Sequence, residues 1–173
     1  MTTMGKHSAG LLLYRRTGDT VEVLIAHPGG PIWARRDAAA WSIPKGAPLD
    51  TEPDLLDAAR REFEEETGHP VPDGALIDLG WVRQKGGKIV YAWAAEGDLD
   101  PAAAVSNTFS FQWPPFSGRI REYPELDQVA WFDPVEARRR IKEPQIPFLD
   151  RLEANLGLAV PLSGAPRTGP QEP

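Results

Sequence analysis

Three of the four glutamates within residues 61–68 (REFEEETG) have the side-chain type and the spacing for metal chemistry. In a helix, Glu62, Glu65 and Glu66 stand at positions i, i+3 and i+4, so one turn presents all three carboxylates on one face. Like charges this close repel, and a hard divalent cation such as Mg²⁺ or Mn²⁺ relieves the repulsion. The alternative is a solvated acidic face, but acids near a helix C-terminus oppose the helix dipole. On these three residues alone, a metal site and a solvated acidic face both stay open.

The pattern extends upstream of the three glutamates. The chain resembles the Nudix hydrolases, whose signature is G-x5-E-x7-R-E-U-x-E-E-x-G-U, where U is an apolar residue. The matching residues, in order, are Gly46, Glu52, Arg61, Glu62, Phe63, Glu65, Glu66 and Gly68. They follow residues 41–45 (WSIPK), a typical approach to the signature in this family, and the resemblance covers the chain from residue 8 to about residue 132.

Two positions depart from the signature. Eight residues instead of seven separate Glu52 from Arg61, and the last apolar position holds His69. The additional residue falls around Pro53, in the loop that enters the helix, so the spacing downstream of Arg61 is intact. This departure leaves open whether Glu52 makes the contact with the arginine that is usual in the family. His69 is interpreted as a surface residue.

The resemblance implies a metal-dependent hydrolase. In such an enzyme, Glu62, Glu65 and Glu66 hold Mg²⁺, or Mn²⁺ in its place, against the diphosphate oxygens of the substrate. The main-chain carbonyl of Gly46 completes the metal shell. The implied reaction is the hydrolysis of a phosphoanhydride bond in a nucleoside triphosphate or another nucleoside diphosphate-linked compound.

Two roles in the implied reaction stay open. Arg61 orients the carboxylates through paired hydrogen bonds, or it is only an i, i+4 partner on the helix surface. The general base is either Glu62 or a glutamate from a later loop, for which residues 119–125 (RIREYPE) offer Glu122 and Glu125. For each of these two, an exposed loop acid without a role is the alternative.

Substrate contacts are predicted close to the signature. Lys45, directly before Gly46, is placed to contact a phosphate, and Trp41 and Arg35 are candidates for a base and a phosphate contact. Other aromatic side chains that can stack on a nucleobase, with core or loop packing as the alternative, are Trp33, Trp113 and Phe116. Further cationic candidates are Arg36, Arg83, Lys88, Arg119 and Arg121.

Composition limits the class of protein. The chain has 173 residues, enough for one domain with its own core, and no cysteine for disulfides or thiolate chemistry. The net charge of −6, without a long basic tract, disfavours long nucleic acid as a partner. Because no apolar stretch of membrane length or signal peptide is found, the protein is expected to be cytoplasmic and without membrane contact. A small nucleotide is the expected partner, and a homodimer stays open.

Hydrophobic periodicity and turn residues predict a mixture of strands and helices. The predicted strands are residues 8–15, 21–27, 41–43, 76–84, 88–95 and 128–132, and the predicted helices are residues 53–67, 134–141 and 147–156. Leu56, Ala59 and Phe63 form the expected buried stripe of the first helix. This order fits the α/β fold that the resemblance implies, a Nudix-type α/β/α sandwich with a mixed β-sheet. Residues 1–157 are expected to form this domain, and residues 158–173 a flexible C-terminal tail.

The resemblance leaves two other functions to weigh. A catalytically silent Nudix module that binds nucleotides is disfavoured because the chain keeps Glu62, Glu65 and Glu66. An isomerase of a diphosphate-bearing isoprenoid is disfavoured because the chain has no cysteine to serve that chemistry. The sequence therefore favours a Mg²⁺-dependent Nudix pyrophosphohydrolase.

Overall fold

The computed structural model describes residues 6–158, and in this part the chain forms eight strands and three helices. The strands are β1 His7–Thr17, β2 Thr20–Pro28, β3 Lys45–Gly46, β4 Ile77–Arg83, β5 Ile89–Glu96, β6 Thr108–Gln112, β7 Ile120–Pro124 and β8 Leu126–Phe132. The helices are α1 Leu55–Thr67, α2 Pro134–Arg140 and α3 Ile146–Asn155. Of the predicted C-terminal tail, only Leu158 lies within the described residues. No helix between residues 6 and 158 has the length and apolar character needed to span a bilayer.

Six strands form one mixed sheet in the order β4-β5-β1-β2-β8, with β3 also paired to β1. The central strand β1 runs parallel to β5 and antiparallel to β2 and β3. Its side chains alternate between two cores, because Leu12 and Tyr14 pack on one face and Leu11 and Leu13 on the other. A sheet buried on both faces between helices is the α/β/α sandwich that was predicted.

Helix α1 covers one face of the sheet and begins and ends at capping residues. The Asp54 side chain accepts the Leu56 N–H at the N-terminus, and Gly68 ends the helix in the left-handed conformation, with φ 74°. Ala59 and Phe63 are completely buried, as predicted, but Leu56 is only half-buried. The helix thus presents its apolar side to β1, and its glutamates at 62 and 66 lie against β3.

Helices α2 and α3 cover the opposite face. Asp133 caps α2 by accepting the N–H of Glu136 at 2.9 Å, with a proline in the first turn of the helix. In α3, Phe148, Leu149 and Leu152 are buried in the same core as Leu12 of β1. The two C-terminal helices therefore lie where the sequence periodicity placed them.

Strands β6 and β7 form a separate two-stranded hairpin that was not predicted. The prediction of a loop over residues 119–125 is therefore wrong, since most of this segment is β7. The two strands are short and mostly exposed, so they have no strong apolar period, and the prolines between them indicate a loop. The strand predicted at residues 41–43 is reduced to single bridges, Ser42 with Ala26 and Trp41 with Ile141.

Candidate active site

Three glutamates from two parts of the chain meet beside the acidic side of α1. Carboxylate oxygens of Glu62, Glu66 and Glu125 lie within 4.8 Å of one another. Glu62 and Glu66 are one helical turn apart and are buried, with 8% and 7% exposure, while Glu125 is half-buried. We call these three residues the carboxylate cluster.

Backbone hydrogen bonds bring Glu125 to the helix. Its N–H donates to the carbonyl of Asn107 at 2.7 Å, and its carbonyl accepts the N–H of Gly29 at 2.9 Å. Asn107 is itself attached to α1, because its N–H donates to the carbonyl of Glu65 at 3.0 Å. The segment after β7 is thus tied to the C-terminal turn of α1 and to the end of β2.

The other two acidic candidates lie outside the carboxylate cluster. Glu65 accepts a hydrogen bond from Nη1 of Arg61 at 2.9 Å, as an i, i+4 pair. Glu122 is exposed in the middle of β7, opposite Ser110. Of the two later glutamates proposed from the sequence, the structure therefore brings Glu125, and not Glu122, to the helical carboxylates.

Arg61 connects the signature loop with the helix. Its Nε donates to both carboxylate oxygens of Glu52 at 3.0 Å, and its Nη1 lies 3.0 Å from Oε1 of Glu62. The Nη2 group donates to the carbonyl of Ala47 at 3.0 Å. The contact with Glu52 that the additional residue had left open is therefore made, and Arg61 binds several carboxylates rather than one surface partner.

The additional residue between Glu52 and Arg61 is accommodated in the loop before α1. Residues 49–52 form a closed turn in which the Glu52 N–H donates to the carbonyl of Leu49, and the Leu49 N–H donates to Oε1 of Glu52. The chain then passes through Pro53 to Asp54, the N-cap of α1. The hydrogen bond with Arg61, followed by the one from Leu49, holds the pKa of the Glu52 carboxyl below its usual value.

Burial dominates the electrostatics of the carboxylate cluster. It raises the pKa of Glu66 to about 8, and the negative charge of Glu62 adds to the effect. Burial also raises the pKa of Glu62, against the opposing charge of Arg61, and that of Glu125, where the charge of Glu65 contributes. Half-buried and buried carboxylates this close together are a donor set for a hard divalent cation.

Strand β3 lies directly against the two helical carboxylates. The Lys45 N–H donates to Oε2 of Glu66 at 3.0 Å. At Gly46, an added Cβ would overlap the carboxylate of Glu62, so a larger residue here would displace that carboxylate. The glycine of the signature thus keeps the main chain of β3 beside the carboxylate cluster.

A cleft of about 290 Å³ adjoins the carboxylate cluster, because Glu125 is part of its wall. The other lining residues are mainly apolar: Pro28, Gly29, Gly30, Pro31, Ile32, Trp33, Phe109 and Phe111. We call this the aromatic cleft. Phe109 and Phe111 were not predicted as site residues, although their i, i+2 spacing is the signal that both lie on one face of a strand.

The remaining stacking candidates lie elsewhere. Trp41 is only 2% exposed, donates from Nε1 to Asp37, and packs edge-on against Phe132, so it lies in the core and not in the aromatic cleft, and its contact with a substrate stays a prediction. Trp113 and Phe116 lie at the tip of the β6–β7 hairpin and do not line the aromatic cleft.

The two cationic side chains predicted as substrate contacts, Arg35 and Lys45, lie in different places. Arg35 is exposed and lines a separate depression with His27 and Asp127, rather than the aromatic cleft. Lys45 is close to Glu66, and burial lowers the pKa of its ammonium group to about 8, with further contributions from the charges of Lys88 and Lys142. Of the two cations, Lys45 is thus the one next to the carboxylate cluster.

Comparison with known proteins identifies the family and the fold. A model of the NUDIX domain matches residues 5–152, and the chain belongs to the NUDIX family. The NUDIX domain of Shewanella oneidensis NrtR, solved with ADP ribose, is similar with a TM-score of 0.63 and 13% identity, over 89% of this chain and 90% of that chain. A C. elegans Ap4A hydrolase in a binary complex is similar with a TM-score of 0.56 and 22% identity, over 88% of this chain and 98% of that chain.

These similarities show a shared fold. The relatives carry more than one kind of ligand, since Shewanella oneidensis NrtR has also been solved with a 27mer DNA, at a TM-score of 0.53 and 14% identity, over 86% of this chain and 61% of that chain. No curated protein matches the chain. Family membership therefore gives the general class of nucleotide-linked chemistry, and the particular reaction has to be inferred from the residues of this chain.

Proposed function

We propose that the protein hydrolyses, with Mg²⁺, a phosphoanhydride bond in a nucleoside triphosphate or another nucleoside diphosphate-linked compound. The observation that carries this proposal is the carboxylate cluster, whose oxygens lie within 4.8 Å of one another beside the aromatic cleft. Membership of the NUDIX family supports the reaction class. The cleft supports a substrate with a flat aromatic part next to its phosphates.

The residues fit a hard cation. Glu62 and Glu66 would hold Mg²⁺, or Mn²⁺ in its place, and Glu65 and the carbonyl of Gly46 are the further oxygen donors that we assign to it. When bound, the ion screens the charge of the phosphates and lowers the pKa of a water molecule in its shell. Arg61 orients the carboxylates of Glu62 and Glu65 by hydrogen bonds of its planar guanidinium group.

Glu125 is our proposed general base. Glu62 is paired with Arg61, whereas Glu125 has no cationic side chain within 4.0 Å among residues 6–158. Burial raises the pKa of Glu125, which suits a carboxylate that has to accept a proton. Glu125 takes a proton from the attacking water and the water oxygen bonds to phosphorus. The bridging oxygen then leaves with the electron pair of the broken P–O bond.

The aromatic cleft is our proposed site for the base of the nucleotide. Trp33, Phe109 and Phe111 offer aromatic faces for stacking, and each such contact is worth roughly 1–3 kcal/mol. Glu125 belongs to both the cleft and the carboxylate cluster, so a nucleotide with its base in the cleft has its phosphates at the carboxylates.

A substrate panel tests the proposal. Nucleoside triphosphates, dinucleoside polyphosphates and nucleoside diphosphate sugars are incubated with Mg²⁺ or with EDTA, and the released products are measured. We expect turnover of at least one compound with Mg²⁺ only, and mass spectrometry in ¹⁸O water then identifies the phosphorus attacked. Binding of panel members in calorimetry without any turnover would favour the silent nucleotide-binding module instead.

A further inference from the structure

One buried glutamine connects three separate segments at the edge of the site. The side chain of Gln145 is completely buried. Its Oε1 accepts the N–H of Ile43 at 3.0 Å, and its Nε2 donates to Oγ of Ser42 and to Oε1 of Gln84, both at 2.9 Å. This amide therefore holds together the segment before β3, the β4–β5 turn and the segment between α2 and α3.

Each of the three segments carries a lysine. Lys45 follows Ile43 by two residues. The carbonyl of Lys88 accepts the N–H of Gln84 at 2.7 Å, and the carbonyl of Lys142 accepts the N–H of Gln145 at 2.9 Å. The hydrogen bonds of Gln145 and Gln84 thus fix the backbone from which the three lysine side chains extend. We call these three residues the lysine cluster.

No lysine of the lysine cluster forms an ion pair with a carboxylate in the part of the chain that the structure describes. Within residues 6–158, none of its ammonium groups lies within 4.0 Å of an Asp or Glu oxygen, although Arg15, Arg61, Arg138 and Arg140 each have such partners. Burial lowers the pKa of Lys142, and the charge of Lys88 lowers it further. Lys45 has the carboxylates of Glu66 and Glu62 nearby, but the charge that acts on Lys142 is that of Lys88, and an anion bound between the lysines would relieve this repulsion.

The lysine cluster borders the proposed catalytic site. The main-chain N–H of Lys45 donates to Oε2 of Glu66 at 3.0 Å, which places this lysine next to the carboxylate cluster. The Nζ of Lys142 lies 5.0 Å from the ring centroid of Trp33, which lines the aromatic cleft. An anion bound by the lysines is therefore close enough to belong to the same substrate molecule.

We propose that the lysine cluster is a second anion subsite, which binds phosphates of the substrate beyond the two joined by the scissile bond. This inference rests on the proposed function. The preferred substrates then carry a chain of three or more phosphates, as nucleoside triphosphates and dinucleoside polyphosphates do, rather than a bare diphosphate. The lysines supply charge for the extra phosphates, which the oxygens of the carboxylate cluster repel.

Kinetics of matched variants test the subsite. The double variant Lys88→Gln with Lys142→Gln is compared with Lys85→Gln, which changes an exposed lysine of the same β4–β5 turn. We expect the double variant to raise KM for a dinucleoside tetraphosphate about tenfold or more, with kcat changed less than about twofold. KM for a nucleoside diphosphate sugar stays within about twofold in both variants. An equal rise of KM for both substrates, or no rise, overturns the proposal.

Binding of inorganic tripolyphosphate in EDTA tests the subsite without turnover. In calorimetry we expect the wild type and Lys85→Gln to bind tripolyphosphate equally, and the double variant to bind it at least about tenfold more weakly at an unchanged Tm. Equal binding by wild type and double variant, or no binding by the wild type, overturns the proposal. If tripolyphosphate binds through the lysines but no panel compound is cleaved, the subsite stands and the proposed hydrolysis fails.

Discussion

The Nε of Arg61 lies 3.0 Å from both carboxylate oxygens of Glu52, across a loop that is one residue longer than the family signature. The same guanidinium group reaches Glu62 and Glu65, so one side chain ties the loop before α1 to the acidic side of the helix. Its pKa is raised, first by the hydrogen bond with Glu52, and Arg61 is therefore permanently charged. The added residue changes the loop and leaves this contact in place.

Replacing Arg61 tests whether this contact positions the catalytic carboxylates. Arg61→Lys keeps the charge but loses the planar fork that binds Glu52 and Glu65 together. We expect kcat to fall by about 10–100-fold and the Mg²⁺ concentration for half-maximal activity to rise. Arg60→Lys, at the exposed neighbouring position, is the matched control and should behave as wild type. Unchanged kinetics in Arg61→Lys would reject the positioning role.

The two glutamates of the β7 region provide a matched pair. Glu125→Gln removes a member of the carboxylate cluster, and we expect turnover to fall by about 10²-fold or more. Glu122→Gln changes an exposed residue three positions earlier and should leave turnover within about twofold. Steady-state kinetics and calorimetric Mg²⁺ titration of both variants provide the measurement. Equal effects of the two substitutions would contradict the assignment of Glu125.

The pKa of Glu66 predicts a pH-dependent stability in the absence of metal. The folded-state pKa of about 8 lies above the ordinary glutamate value of 4.5, so the folded protein binds this proton more tightly than the unfolded chain. The contribution of protonated Glu66 to the free energy of unfolding is complete below about pH 4.5 and is lost as the pH rises towards 8. The pKa of Lys45 is lowered, also to about 8. Lys45 is therefore charged in both the folded and the unfolded protein over most of this pH range.

Thermal unfolding in EDTA measures the effect. We expect Glu66→Gln to be more stable than wild type at pH 8 by about 2 kcal/mol, a Tm difference of roughly 4–8 °C, because the buried carboxylate must otherwise ionise. The advantage should shrink as the pH falls towards 5. Glu64→Gln, exposed on the same helix, is the control and should follow the wild type. If the difference in Tm between Glu66→Gln and the wild type did not vary with pH, Glu66 would have an ordinary pKa.

The aromatic cleft predicts separate effects for two phenylalanines of one hairpin. Phe111→Ala removes a wall of the cleft, and we expect KM to rise by about tenfold or more from the loss of stacking, with a smaller change in kcat. Phe116→Ala changes a side chain that is 99% exposed at the hairpin tip and should leave KM within about twofold. If Phe116→Ala alone raised KM, the substrate would contact the tip rather than the cleft.

Local patterns in the sequence were sufficient for α1 and its acidic side. The i, i+4 spacing placed Glu62 and Glu66 one turn apart, and Asp54 and Gly68 cap the helix as residue preference suggests. The apolar alternation of β1 was also readable, since it follows from the pleat of a single strand. These features depend on neighbours within a few residues, and the sequence contains that information directly.

Tertiary structure decided which acid completes the carboxylate cluster. Glu122 and Glu125 are equivalent candidates in the sequence, and the bonds of Glu125 with Gly29 and Asn107 select between them. Tertiary packing also decided the position of Trp41, which the sequence offered as a stacking residue and which is buried in the core.

The sequence by itself thus determined the family signature, the helix and the kind of chemistry, because each follows from short-range spacing. Only the folded chain brought Glu125 to the helical carboxylates and to Phe111, and joined the three segments that carry the lysines at 45, 88 and 142. The physical reason is that their proximity comes from strand pairing and from the hydrogen bonds of Gln145, between residues far apart along the chain.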